Sequence, residues 1–411
     1  MNKLSVFAVS IFAGGILSAA PVVSGVTLTQ DASRRATVKY RLTGDPAIIT
    51  VDFLTNGVSI GESACRGLAG DCNKLVSPDA ANDKTVVWHP DKTWPGHICD
   101  VVAVVKAWTK EDPPDYMTVN LRSGDIAYYV GTNSLPKGSA TVDEYRTEWM
   151  LFRRIRAAGI PWTMGSAKTG ATETGRNANG YEDAHEVTLD HDYWFGVFEV
   201  TKRQWEILTG TARGSAGNMD GRLPVEWISR LQMRECDANT KNEVNASAIY
   251  PNAPYPTSFL GRLRELTGGM AFDLPWESEW EYAARAGHGN GFWGNGEAYV
   301  GSDTDAALDR FGNYGNKNGL MAVGSYAPND WGIYDTAGNV TEACIDAALK
   351  DITSLGGAPY ENASKTVDSV FISRGGGFTN KASNCRPAYR NCQPKNKQCH
   401  NEFGFRAMCR E

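Results

Sequence analysis

The chain carries nine cysteines, one short acidic loop and a polar C-terminal stretch that could support chemistry. Cys65, Cys72 and Cys99 fall in the first third, Cys236 and Cys344 in the middle, and Cys385, Cys392, Cys399 and Cys409 near the end. Thiolates bind soft metals or act as nucleophiles, whereas thiols in an oxidising compartment pair as disulfides. No two show the C-x2-C spacing of a structural zinc site, and an odd count leaves at least one thiol free or joined to something else. The six histidines, His89, His97, His185, His191, His288 and His400, are scattered. His185 and His191 straddle a predicted strand, where structural or solvated roles outweigh a metal pair. The run Asp335-Thr-Ala-Gly-Asn-Val-Thr-Glu342 places two carboxylates on a tight loop. Such oxygens suit a hard cation such as calcium, or they accept loop N–H bonds. Further on, Asn380, Lys381, Asn384, Arg386, Tyr389 and Asn391 offer directional hydrogen bonds and rigid contact area suited to recognition.

These groups must be positioned by elements that the rest of the sequence outlines. Lys3, the apolar run Leu4 to Leu17 and the small residues Ser18, Ala19 and Ala20 have the form of a secretory signal over residues 1–24. The run is shorter than the roughly 20 residues a spanning helix needs, so no transmembrane anchor is expected. The mature chain is expected to be exported, whether periplasmic, cell-surface or extracellular. A hydrophobic content of 42% excludes global disorder, and 41 basic against 47 acidic residues, net −6, argue against nucleic acid as a partner. With 43 glycines and 12 tryptophans in 411 residues, strands, turns and irregular loops are expected in place of a helical bundle.

Residues 25–110 read as a small all-β sandwich accessory domain. ATVKYRL alternates polar and apolar residues, and IITVDFLTNGVSI reads as two strands joined at Asn56-Gly57, a hairpin signal. Trp88, Trp94 and Trp108 are buried core or, less simply, a stacking platform for carbohydrate. Residues 111–148 are a proline-bearing joint with two further strands, YMTVNL and DIAYYVG, assigned to neither side. From 149 to 411 short motifs alternate with Gly- and Asn-rich loops. Only Thr201–Leu208, capped by Thr201, and Glu277–Ala286, with Trp280, Ala283 and Ala284 on one face, read as helices.

Six segments of this second region occur in one order: FGVFEVTKRQW (195–205), LPVEWIS (223–229), FDLPWESEWEYAARAG (272–287), APNDWGIYDTAGNVTEACID (327–346), RGGGF (374–378) and GFRAM (404–408). Together they resemble the formylglycine-generating enzyme, or sulfatase-modifying factor, family. The resemblance implies an α+β, C-type-lectin-like domain rich in irregular chain over 149–411. It implies calcium ligands at Asp335, the carbonyls of Gly338 and Val340, and Glu342, with a second site beginning at Asn313 and Tyr314. Enzymes of this family oxidise a substrate cysteine with copper(I) on two thiolates and O2. Here the second thiol matches Cys385, but the first matches Asn380, the motif's serine is Gly377, and two expected tryptophans are Thr341 and Ala343. A single thiol cannot form that copper site, so copper is not expected, and Cys385 as a catalytic residue yields to a structural role. The resemblance further implies disulfides Cys344–Cys385 and Cys236–Cys409, while Cys392 and Cys399 could close a local bridge. The C-terminal stretch also resembles the variable face of ligand-binding lectin-fold proteins. The resulting expectation is a calcium-stabilised module binding a protein, peptide or glycan. The alternative is an oxidoreductase acting on protein cysteine, as in sulfatase maturation, or another oxidase with an unusual site.

Overall fold

The computed structural model describes residues 19–166, 182–215, 217–240, 248–288, 308–348, 356, 370–394 and 402–410. The chain divides between Pro113 and Pro114 into two compact units.

In the first unit, one antiparallel sheet runs in the order Val22–Gln30, Ala36–Thr43, Lys84–Trp88, Ala69–Gly70. In the other, Ala47–Thr55 pairs with Val58–Ser59, Leu75–Val76 and Val102–Trp108. Along Ala36–Thr43 every second side chain (Ala36, Val38, Tyr40, Leu42) is buried, as a strand with one face inward requires. These side chains share one cluster with Ile49, Val51, Phe53, Val86 and Trp88. The Asn56-Gly57 turn forms as read: both residues have positive φ, 51° and 77°, and Thr55 pairs with Val58 across it, the twist a two-residue hairpin favours. Of the three tryptophans Trp88 is buried, and Trp94 and Trp108 are half-buried. Trp88 is buried against Phe53, His97 stacks on Trp94 at 3.9 Å, and Lys106 lies over the Trp108 ring. Cys65 and Cys72 are buried thiols, and burial pushes both up to about 12.

The second unit is a mixed α/β body, mostly strands. Its six-stranded sheet runs Ile126–Tyr129, Tyr116–Asn120, Trp149–Ile155, Tyr193–Gly196, Met408–Arg410, Phe272–Asp273. The two strands beyond the proline joint therefore belong to this sheet. A second sheet, Asn391–Pro394, Val370–Arg374, Thr341–Ala347, Phe403–Gly404, carries the residues of interest. The helix Lys202–Thr209 has the expected Thr201 cap, reciprocated by Gln204. A third helix, Phe259–Leu266, capped by Ser258, adds to the two expected ones. Any Cβ on its Gly261 would lie 1.9 Å from the Tyr255 carbonyl oxygen, so glycine marks a close backbone approach.

The helix Glu277–Ala284 is buried all round, its three glutamates included. Buried carboxylates require partners. Glu277 takes Arg374 and Arg390, Glu281 takes Arg285 and Arg374, and Glu279 takes Arg410. Glu279 also holds His191 at 2.7 Å, whose other ring nitrogen meets Asp190 at 2.6 Å. Burial opposes the charge on His191, but Glu279 and Asp190 outweigh it and raise His191 above the ordinary histidine value, while the nearby Arg410 pulls the other way. Its stabilising contribution should therefore be full below about pH 6.5 and lost as pH rises through the folded-state value. His191→Gln should flatten that part of the urea-midpoint profile between about pH 6 and 8; an unchanged profile would dismiss the role.

Candidate functional site

The acidic loop meets the sheet at a buried charge cluster. Asp335 sits at φ 57°, a left-handed conformation Asp tolerates, and its Oδ2 accepts from the Gly324 N–H at 2.6 Å. Glu342, on the strand Thr341–Ala347, is chelated by Arg406 and also accepts from the Trp280 indole at 2.7 Å. Glu199 accepts from the Val340 N–H and from Asn339 Nδ2 at 3.0 and 2.7 Å. Burial, with the charges of Asp335 and Glu342 beside it, pushes the Glu199 carboxyl far above its usual range. Burial likewise pushes Asp335 up to about 6. Three buried carboxylates thus face one guanidinium. Surplus negative charge in a buried site calls for a proton or a cation.

The adjoining loop adds an oxygen. Asn313 is buried and donates from Nδ2 to Gly319 O at 2.8 Å, while its Oδ1 has no hydrogen-bond partner. Tyr314 is buried beside it, its hydroxyl on Asp309. The donors are hard oxygens, which fits calcium. Glu342 enters that set only by sharing oxygens already bonded to Arg406 and Trp280. Among the described residues, no group of three or more His, Cys, Asp or Glu is arranged as a metal cage, so calcium would need carbonyls and the Asn313 amide in addition to the Asp335 and Glu342 carboxylates. The Glu342 charge acts on Asp335, Gly338 is bridged to Asn313, and the Val340 N–H is turned to Glu199. Glu199 was missed. Its signal was a lone acid between Phe198 and Val200 in an otherwise apolar run.

The glycine loop 374–377 leads to the position where the resemblance implies copper thiolates. Cys385 is fully buried, and burial pushes its thiol up to about 12, which disfavours the free thiolate. Asn380 is fixed by the loop: its Oδ1 accepts from the Gly377 N–H at 3.0 Å, and its Nδ2 donates to Glu402 Oε2 at 3.2 Å. Thr379 donates to the other Glu402 oxygen. A Cβ on Gly377 would lie 2.8 Å from Glu402 Cβ, so the glycine that replaces serine makes room for this glutamate. A cavity of about 240 Å³ opens beside it, lined by Thr341, Thr379, Asn380, Asn391, Gln393 and Glu402, with Phe403 at its base.

Of the six expected ligand residues, Asn380 and Asn391 line this cavity. Lys381 is exposed, and Asn384 and Tyr389 are half-buried. Arg386 corrects the expectation. It is fully buried and paired with Glu182 at 2.8 Å, because a guanidinium enclosed in the unit needs a carboxylate, so it is not available to a ligand. Glu402 was missed, being separated from the glycine loop in sequence. The expected Cys344–Cys385 bridge is not formed: the two thiols lie in different hydrophobic clusters. Cys236 and Cys409 are both buried, Cys392 is exposed, and Cys399 lies outside the described residues.

The two sheets, the glycine loop, the acidic loop and the buried arginine–glutamate network define a domain of the sulfatase-modifying-factor type. The chain belongs to that family: the Sulfatase-modifying factor enzyme 1-like domain matches residues 158–410. It is 25% identical over 282 residues to the chaperone protein LppX of Paenibacillus barcinonensis, covering 59% of this chain and 92% of LppX. Among solved structures it is similar to Treponema denticola variable protein 1 (22% identity, TM-score 0.44, 64% of this chain and 96% of that one). It is also similar to PvdO from Pseudomonas aeruginosa (20% identity, TM-score 0.48, 64% and 94%).

Proposed function

We propose that this protein is an exported, calcium-stabilised binding module of the sulfatase-modifying-factor family that has exchanged copper oxidation for ligand recognition. The observation that carries the reading is Asn380 in place of the first thiol, bonded together with Thr379 to Glu402, which leaves Cys385 as a single buried thiol. Hard oxygens and a single thiol hold copper(I) poorly. The C-terminal unit is read as C-type-lectin-like and the N-terminal unit as a β-sandwich accessory domain. The ligand is a protein, peptide or glycan met at the face around Asn380 and Asn391. Export rests on Lys3 and the apolar run Leu4–Leu17, and in an oxidising compartment the buried Cys236 and Cys409 would pair. Calcium would be held by Asp335, Glu342, Asn313 and nearby carbonyls; it would supply positive charge to the buried carboxylates.

The test is to incubate the purified chain with copper(I), O2 and a cysteine-bearing peptide, following aldehyde formation by mass spectrometry. No aldehyde is expected, and copper(I) affinity should match that of Cys385→Ser. Turnover that Cys385→Ser abolishes would establish the oxidase instead.

A further inference from the structure

We infer that the cavity beside Glu402 recognises an organic cation of the guanidinium or ammonium type; this rests on the binding reading above and specifies its ligand. Glu402 is half-buried, whereas four buried carboxylates of this unit, Glu277, Glu279, Glu281 and Glu342, each meet an arginine within 3.1 Å. Among the described residues no lysine or arginine forms an ion pair with Glu402. Its two oxygens take one neutral donor each, from Thr379 and Asn380. A carboxylate has about four acceptor positions, so both oxygens keep capacity toward the cavity.

The rest of the lining fixes the ligand's chemistry. Thr341, Asn391 and Gln393 add hydroxyl and amide groups, and among the described residues no basic one lines the space. An anionic ligand would meet an uncompensated carboxylate there. A sugar would lack a stacking surface, because Phe403, the aromatic residue at the cavity base, is 2% exposed. The volume of about 240 Å³ falls below the ~300–1,000 Å³ of pockets for whole small molecules. It suits one side-chain head group. A planar guanidinium or a compact ammonium brings only donors and a positive charge, which complements a carboxylate flanked by amide oxygens.

The probes are N-acetyl-arginine methylamide and N-acetyl-lysine methylamide, set against N-acetyl-citrulline methylamide, which keeps the shape and loses the charge. Agmatine and cadaverine separate a free amine from a peptide side chain, according to which binds more tightly. Binding is read on the full chain by saturation-transfer NMR and calorimetry. At least one charged peptide probe should bind about tenfold or more tightly than citrulline, and Glu402→Gln should remove that preference. Glutamine keeps the length of the side chain and the backbone bond from Thr341 N–H, 2.6 Å to Glu402 O, so the variant should melt like the wild type. Asn391→Ala, at the cavity edge, should weaken binding severalfold. Equal binding of citrulline, an unaltered preference in Glu402→Gln, calcium alone occupying the cavity, or no cation bound at about 10 mM would each overturn the inference. Aldehyde formation in the copper assay would instead remove the binding reading itself, so the two failures are distinguishable.

Discussion

Arg406→Met should leave little soluble, folded protein. The Arg406 guanidinium chelates Glu342 and also donates to the carbonyls of Gly196 and Tyr334 at 2.9 and 2.8 Å. It is the cation nearest three buried carboxylates. Its removal leaves Glu342 with an uncompensated charge and two carbonyls without a donor, on the order of 3–5 kcal/mol, a large share of a domain's net stability. The measurement is the urea midpoint of whatever soluble fraction remains. Arg406→Met combined with Glu342→Gln should recover part of the loss, because the stranded charge is gone. A single variant within about 1 kcal/mol of wild type would show that the pair contributes little.

Calcium should produce the second large effect. A cation that binds only the folded chain stabilises it by about 4 kcal/mol at a thousandfold excess over its dissociation constant, so chelation should lower Tm by several degrees. Asp335→Asn should abolish that difference, and asparagine still tolerates the left-handed conformation at this position. The pH dependence has a definite sign. With its carboxyl pushed up to about 6 by burial, Asp335 is mostly protonated at pH 5, and protons compete with the metal. The calcium-dependent gain in Tm should thus be larger at pH 7 than at pH 5. Equal calcium sensitivity in wild type and Asp335→Asn would place the cation elsewhere or nowhere.

Local signals in the sequence were reliable where a few adjacent residues decide the geometry. Asn56-Gly57 specifies its own turn, Thr201 and Gln204 specify their own cap, and the alternation Ala36–Leu42 specifies its own inward face. The six ordered motifs located the acidic and glycine loops for the same reason. What escaped depends on partners distant in the chain. The helix Phe259–Leu266 was not among the expected ones, and its Gly261 packs on the Tyr255 carbonyl. Arg386 looked like a surface recognition residue, and only Glu182, some two hundred positions earlier, shows it to be enclosed. Glu402 carries no motif of its own, and its meaning comes from Gly377 having no side chain. Burial by a remote partner leaves no trace in spacing, so charged residues that look solvated are the ones sequence reasoning misplaces.

The strand order of the six-stranded sheet has a consequence for biosynthesis. Met408–Arg410 is an interior strand, hydrogen-bonded between Tyr193–Gly196 and Phe272–Asp273. Until residue 410 has left the ribosome, the strands on either side of it have nothing to pair with there, and Glu279 lacks Arg410. Growing chains of this protein therefore carry an open, apolar sheet from residue 273 until the last strand emerges, a state prone to aggregation unless something holds it. The second unit can complete its fold only after translation of its final strand, whereas residues 19–113 can complete theirs much earlier. That interval is the period in which a holding chaperone or a translocation channel would find the chain still threadable.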